Sequence, residues 1–327
     1  MGPNGVGKTN LLEAVHVATQ GFSPRTRTDS QVVRFGAEGA RAFVSGRLGD
    51  VQMELEVTVR RGEGKRARLN GSSLRAAEQL RMTVATLVFT PDRLGVVKGA
   101  PAVRRAYFDR ILGRLAPARA TLPAEYGAAV AQRNAALRRA AIGAAGREAI
   151  EPWSERAATL GTELVAARLD VLDLLALPFA ERAAELGLGD AALRYEGAPP
   201  TLEALEAVLD RDVERGATSL GPHLDDVVLV AGGRELRSFG SQGEQRLALL
   251  ALLLAEAETI ADRTGVRPLL LLDDVLSELD PERRRILAKR VRSVGQALVT
   301  ATDAAMLPAE PDQLLEVTPG AVLEPSA

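Results

Sequence analysis

The chain has 327 residues, 46% hydrophobic and 26% charged, the balance of a globular protein with material for two domains and a sizeable core. It has no cysteine, which excludes disulfides, thiolate metal sites and a cysteine nucleophile, and fits a reducing compartment. A net charge of −2 and an aromatic content of 3% argue against a global basic field and against base stacking as the main mode of binding, so any nucleic-acid contact has to be local and salt-sensitive.

Residues 2–9 read Gly2-Pro3-Asn4-Gly5-Val6-Gly7-Lys8-Thr9, a full G-x-x-x-x-G-K-[ST] phosphate loop. Its glycines let successive backbone N–H groups turn inward around an anion, and the helix that follows points its positive end at the same place. Lys8 supplies a mobile charge for β- and γ-phosphates, Thr9 offers a hydroxyl to Mg²⁺, and Asn10 opens the amphipathic helix over 10–19. Such a loop normally hangs from a buried strand. Here the sequence starts at Met1, and a start assigned too far downstream is preferred to a native truncation. The opening Met-Gly-Pro-Asn is not a signal-peptide pattern, and Gly2 is already the loop's first glycine rather than a myristoylation site. No apolar run reaches the roughly 18–20 residues of a membrane span.

Residues 21–31, with Arg27, form a polar loop. Alternation over 42–48 and 51–60 predicts a hairpin, with Val51, Met53, Leu55, Val57 and Val59 on one face. Asn70-Gly71 turns a second hairpin, and 83–89 is a short apolar strand. Residues 1–70 hold 11 Lys/Arg against 7 Asp/Glu, a surplus of +4. Arg60, Arg61, Lys65, Arg66 and Arg68 crowd one hairpin, and Arg104 and Arg105 begin the next region. Solvated charge is the default reading for both groups, and local DNA contact is the alternative.

From 101 to about 216 glycine thins, alanine rises and helical patterns dominate. Trp153, Ala157, Leu160, Leu164, Ala167, Val171 and Leu174 follow the 4,3 spacing of a heptad seam between Pro152 and Pro178. Tyr126, Val130 and Leu137 of the preceding helix are placed to face it. A short antiparallel coiled-coil arm is preferred to a plain helical bundle. The domains expected are 1–100, an N-terminal lobe; 101–218, the helical arm; and 219–327, a C-terminal lobe. In the last, 227–230 and 235–237 flank a Gly-Gly turn, 243–261 is helical, 268–272 a strand, 281–291 a helix and 296–300 a strand. The tail, through Pro325, is loose around a short strand near 314–317.

The run Leu269-Leu270-Leu271-Leu272-Asp273-Asp274 is a buried parallel strand with two acids at its carboxyl end, where α/β folds bind ligands. Asp273 is placed to hold Mg²⁺ through water, and Asp274 to orient or deprotonate an attacking water. Ser241-Gln242-Gly243-Glu244-Gln245 opens the long helix 28 residues before Leu269. Alone it is an N-cap. In ATP-binding-cassette ATPases a signature at this place meets the γ-phosphate of ATP held by a second subunit. The stretch 275–281, with Ser277 and Asp280, is either a helix cap or a loop like the one that crosses such a nucleotide-sandwich dimer. Where many cassette ATPases carry a switch histidine this chain has Thr302 and Asp303 instead. His16 reads as a packed histidine. His223, in Gly221-Pro222-His223-Leu224-Asp225-Asp226, lacks the second histidine or cysteine that a metal site needs.

Taken together, 2–14, 90–109, 221–226, 239–249 and 269–280 closely resemble the RecF family of bacterial DNA replication and repair proteins, cassette-type ATPases related to chromosome-maintenance proteins. The resemblance implies an α/β P-loop ABC/SMC-like ATPase head with an inserted helical, short coiled-coil arm. It implies a weak, DNA-stimulated ATPase using ATP and Mg²⁺. The nucleotide loop is Gly2, Pro3, Asn4, Gly5, Val6, Gly7, Lys8, Thr9 and Asn10. Thr9 and Asp273 take the metal, Asp274 is catalytic, and Ser241–Gln245 act in trans within an ATP-dependent homodimer. The implied partners are single- and double-stranded, gapped DNA, with RecO and RecR in the loading of RecA, and the implied setting is the nucleoid in the cytoplasm, in replication-fork maintenance and the SOS response. The family usually has Arg at the position of Leu224, so a phosphate or DNA contact there does not carry over. The alternatives are a nucleotide-insensitive scaffold for DNA or RecR, and another cassette-type ATPase.

Overall fold

The computed structural model describes residues 1–26 and 28–323, the side chains of Glu78, Met82, Pro91 and Asp92 excepted; Arg27 of the polar loop and Pro325 of the tail lie outside the described residues. The chain begins with helix α1 (Lys8–Gln20) and strands β1 (Gly39–Leu48), β2 (Val51–Arg60), β3 (Gly64–Leu69), β4 (Ser72–Ser73) and β5 (Thr86–Phe89). Helices α2 (Gly95–Lys98), α3 (Pro101–Leu115), α4 (Leu122–Ala141) and α5 (Glu151–Glu185) follow, then β6 (Ala192–Glu196), α6 (Leu202–Ala207) and α7 (Leu209–Arg215). The remainder is β7 (Asp226–Ala231), β8 (Arg234–Glu235), α8 (Leu236–Phe239), α9 (Gln242–Thr264), β9 (Leu269–Leu272), α10 (Pro281–Val294), β10 (Ala297–Val299), β11 (Glu316–Thr318) and β12 (Ala321–Leu323). These divide into two compact units, Met1–Leu94 with Leu250–Ala327, and Gly95–Leu249. Residues 219–249, expected with the C-terminal lobe, therefore belong with the helical region. The reason is pairing: β7 is hydrogen-bonded to β6, and Asp226 at its start is gripped by Arg104 of α3.

In the first unit β5, β9 and β10 form a parallel sheet in the order β10-β9-β5. Its central strand is the leucine run, with Leu270, Leu271 and Leu272 fully buried, as a strand covered on both faces requires. Helix α1 packs on it through Leu12, against Val88 and Leu271. The antiparallel sheet β1-β2-β3-β4 turns Leu55, Val57, Val59 and Ala67 onto Val17 of α1 and Leu80. Val51 of the predicted inward face is exposed, because it sits at the turn. Asn70 and Gly71 both have positive φ, 48° and 78°, the backbone of the tight turn their sequence predicts. The tail strand is found at β11, and it pairs with β12 across Gly320. The backbone of Met1 lies along it, since Val317 N donates to the Met1 carbonyl at 2.7 Å.

In the second unit α4 and α5 make a helical hairpin. Tyr126 meets Gly161, Arg133 Nε donates to Ser154 Oγ at 2.9 Å, and Leu137 packs on Ile150. One number rises as the other falls by the same step, so the helices are antiparallel. The heptad residues face inward except Trp153 and Leu174, which are half-exposed. A second buried row runs beside them, with Ala158, Gly161, Val165, Leu172 and Leu175, so the apolar stripe is wider than a two-residue seam. Helix α5 also continues through Pro178 to Glu185, past the end the proline predicts. The lost N–H of Pro178 is outweighed by burial of Phe179 and Ala183 beyond it; a fully buried Phe alone contributes roughly 1.5–3 kcal/mol. Strand β6 falls in a stretch expected to be helical. It follows a turn in which Gly187 and Asp190 take positive φ, and it pairs antiparallel with β7 from Ala192↔Val230 to Glu196↔Asp226.

Candidate functional site

The phosphate loop and the acidic strand end are brought together within the first unit. Gly5 and Gly7 take positive φ of 84° and 112°, and Gly7 delivers the chain into α1 with Lys8 as its first residue. Lys8 is 8% exposed, and its Nζ donates to the carbonyls of Gly2 at 2.6 Å and Pro3 at 2.9 Å. The ammonium is therefore held against the backbone of the loop. Pro3, Asn4 and Gly5 are exposed, Val6 is half-buried, and Asn10 is exposed with its Oδ1 accepting from Arg25 at 3.4 Å.

Thr9 Oγ1 reaches the Asp273 carboxylate at 2.9 and 3.1 Å. Asp273 is 6% exposed at the carboxyl end of β9, and its backbone N–H donates to Phe89 of β5 at 2.9 Å. Thr300, just past β10, completes the arrangement. Its Oγ1 donates to Asp273 Oδ1 at 2.8 Å and accepts from the Asp274 N–H at 2.9 Å. Thr300 carries no motif of its own; its signal in the sequence is its place at the end of a strand that runs parallel to β9, two and three residues before Thr302 and Asp303, which stand at the place of the switch histidine. Both are exposed: Thr302 bonds Met306 Sδ, and Asp303 caps the Ala305 N–H.

Asp274 has a φ of 51°, uncommon for a non-glycine residue, and Ser277 Oγ donates to its carbonyl at 2.8 Å. These bonds fix its backbone, while its half-buried carboxylate has no hydrogen-bond or ion-pair partner among the described residues. A hydroxyl and a carboxylate on one side of a phosphate loop suit a hard divalent cation that keeps phosphate and water oxygens as its other ligands. Among the described residues no cluster of three or more His, Asp or Glu could hold a metal through protein ligands alone. Asp280 is the N-cap of α10, accepting from Arg283 N at 2.9 Å, with Arg283 Nη1 on its other oxygen at 2.8 Å.

In the second unit Ser241, Gln242 and Gly243 are exposed at the start of α9. Ser241 and Glu244 form a capping box: Glu244 N donates to Ser241 Oγ at 3.2 Å and Ser241 N to Glu244 Oε2 at 2.7 Å. That backbone donor holds the Glu244 carboxyl below its ordinary pKa. Gln245 corrects the expectation for the signature. Its side chain is buried, and Nε2 donates to the carbonyls of Leu236 at 2.9 Å and Gly240 at 3.2 Å, so it ties α9 to the preceding turn and offers nothing outward.

The proposed DNA-contacting arginines are corrected in part. Arg104 is 1% exposed; Nε donates to Asp226 Oδ1 at 2.7 Å, Nη2 to Oδ2, and Nη1 to the Gly99 carbonyl at 2.8 Å. Burial works to raise the Asp226 pKa, but Arg104 outweighs it and holds the carboxyl below its ordinary value. Arg105 is half-buried and donates to the Asp225 carbonyl at 2.6 Å. Arg60 and Arg66 are exposed but share Glu63, Lys65 pairs with Asp29 at 3.2 Å, and Arg61 is exposed and unpaired among the described residues. His223 is no ligand. Its Nε2 donates to the Thr218 carbonyl at 3.1 Å, and its Nδ1 accepts from Tyr126 Oη at 2.8 Å, an imidazole kept neutral by burial. His16 is the packed histidine expected, 1% exposed with Nδ1 on the Phe22 carbonyl.

Residues 1–321 match the RecF/RecN/SMC N terminal domain family. The DNA replication and repair protein RecF of Heliobacterium modesticaldum is 36% identical over 317 residues, covering 92% of this chain and 85% of that protein. That of Kineococcus radiotolerans is 38% identical, with 99% and 92% covered. Among solved structures, one described as the recombination mediator protein RecF with ATP in the RecFOR pathway superposes with a TM-score of 0.88 at 26% identity, covering 99% of this chain and 90% of that one. An Smc head domain from Pyrococcus yayanosii shares the fold alone, with a TM-score of 0.58 at 15% identity. The phosphate loop, the Thr9–Asp273–Thr300 chain and the capped signature helix thus lie in an SMC-type head, and the chain belongs to the RecF family of DNA replication and repair proteins.

Proposed function

We propose that the chain binds and slowly hydrolyses ATP, and that ATP closes two copies into a dimer on DNA. The observation that carries this reading is the hydrogen-bonded chain from Thr9 through Asp273 to Thr300 beneath a complete phosphate loop. The loop's amides and Lys8 take the β- and γ-phosphates. Mg²⁺, held by Thr9 and, through water, Asp273, would neutralise charge on those oxygens. Asp274, its backbone fixed by Thr300 and Ser277, orients a water and accepts its proton as the water oxygen bonds the γ-phosphorus and the bond to the β-bridging oxygen breaks, giving ADP and phosphate.

The exposed tip Ser241–Gly243 of one copy closes over the γ-phosphate held by the other, with Ser277 and Asp280 at the crossing. On this reading the protein binds DNA near junctions of single and double strands and loads RecA together with RecO and RecR; what supports it is membership of the RecF family and the RecFOR pathway named for the solved relative.

Replacing Asp274 with Asn is expected to leave equilibrium ATP binding within about threefold and to slow phosphate release by roughly 10²–10⁴-fold, the usual worth of a positioned general base. Unchanged turnover in that variant would remove Asp274 from the chemistry. A protein that binds no labelled ATP with Mg²⁺ would instead be the nucleotide-insensitive scaffold.

A further inference from the structure

Helix α10 carries Arg285, Lys289 and Arg292 on one face, at i, i+4 and i+7, and all three are exposed. The neighbouring cations are committed: Arg283 pairs with Asp280 at 2.8 Å, and Arg284 Nε donates to the Leu276 carbonyl at 2.8 Å. Arg285 and Lys289 make no hydrogen bond or ion pair among the described residues, and Arg292 spends one Nη on the backbone carbonyl of Glu310.

The three cations line an open cleft of about 500 Å³. Its other walls are Ala288, Ser293, Pro308 and Ala309, small side chains that let a backbone come close, and among the described residues no acidic side chain lines it. The groove on the β2–β3 hairpin is different. Arg60, Arg66 and Arg68 line that one too, but with Glu56 and Glu63 among them, and each arginine lies within 4.0 Å of one of those carboxylates. The three arginines of that groove are answered by its own carboxylates, whereas Arg285 and Lys289 of α10 have no carboxylate partner among the described residues.

We infer that this face of α10 binds the phosphate backbone of DNA, an inference that rests on the DNA-binding reading above and gives it a surface. From Arg285 to Lys289 is about 6 Å along the helix, and to Arg292 about 10.5 Å. One strand of duplex offers a phosphate about every 3.4 Å of its axis, so the stripe spans about three. Each neutralised phosphate releases counterions, which fixes the readout: the slope of log affinity against log salt changes by about 0.9 per contact.

The test is fluorescence anisotropy of a labelled gapped duplex with the full chain, in the presence of MgATP, between 50 and 200 mM salt. The triple variant Arg285→Ala, Lys289→Ala, Arg292→Ala is expected to bind at least tenfold more weakly at 100 mM salt, with a slope shallower by about 2–3. Its ATP affinity stays that of the parent, since the side chains removed are exposed and lie outside the nucleotide loop; the bond lost with them among the described residues is that of Arg292 to the Glu310 carbonyl. The pair Arg60→Ala, Arg66→Ala is expected to move the slope by less than about 1. A parent that binds DNA and a triple variant that binds it equally well overturn the inference and leave the DNA reading standing. A parent that binds no DNA with any nucleotide overturns both. A triple variant that keeps DNA affinity but loses binding to polyglutamate assigns the face to an acidic peptide and overturns the inference.

Discussion

Replacement of Lys8 with Ala is expected to weaken ATP binding by roughly 2–5 kcal/mol, at least about 30-fold in Kd, the range for removing one partner of a buried charge-assisted contact. Lys8 is nearly buried, its stem is fixed by the first turn of α1, and its ammonium already sits over the Gly2 and Pro3 carbonyls. The other cation that hydrogen-bonds at the loop among the described residues, Arg25, reaches only the exposed Asn10 side chain and is paired with Glu13 at 3.2 Å. The loss has two parts, the missing charge on the phosphates and two loop carbonyls left without their donor. The thermal midpoint without nucleotide separates them, since a change in Kd at an unchanged midpoint belongs to the charge. Equilibrium binding of labelled ATP with Mg²⁺ checks the prediction, and a Kd within threefold of the parent contradicts it.

The second large effect concerns stability. Arg133 and Asp212 are both fully buried, with Nη1 to Oδ2 at 2.6 Å. Around them Nε donates to Ser154 Oγ and Nη1 to Thr218 Oγ1, each at 2.9 Å, and Ser219 N donates to Asp212 Oδ1 at 3.0 Å. The network ties α4 to α5, α7 and the stretch before the Gly-Pro-His turn. Arg133→Ala leaves a carboxylate buried without its cation, a change that costs about 3–5 kcal/mol. With urea m-values of about 1–3 kcal/mol/M, the midpoint of the transition that includes the helical unit should fall by more than about 1 M. The paired change Arg133→Met, Asp212→Leu removes both charges and should restore most of that loss. A midpoint shift below about 0.3 M for the single variant means that water reaches the pair and the network holds little.

What the residue pattern made legible was local. The leucine run with its two acids could be read because a strand covered on both faces has no alternation to hide, and the phosphate loop because each of its residues has its own task. The hairpins followed from alternation and from Asn70-Gly71. What stayed hidden depends on partners far along the chain. Arg104 looks like surface charge until Asp226 comes to meet it 122 positions later. Thr300 matters because β10 lies parallel to β9, and that pairing has no local signature. Strand β6 is five residues long in an alanine-rich stretch, and it is made a strand by β7. Gln245 shares a motif with Ser241, yet lies one turn into the helix, on its inward side. The heptad period gave the helix but neither the width of its buried face nor its length, because packing beyond Pro178 overrides the proline.

On the proposed reading, a triphosphate gripped by the loop of one copy is closed over by the serine-tipped helix of another. Sedimentation velocity of the Asp274→Asn protein, with and without MgATP, puts it to the sharpest test. The expected result is a species of twice the monomer mass with ATP, monomer without it, and monomer again when Ser241→Arg is added and ATP still binds. A protein that stays monomeric with ATP fully bound, or a dimer indifferent to Ser241→Arg, contradicts it.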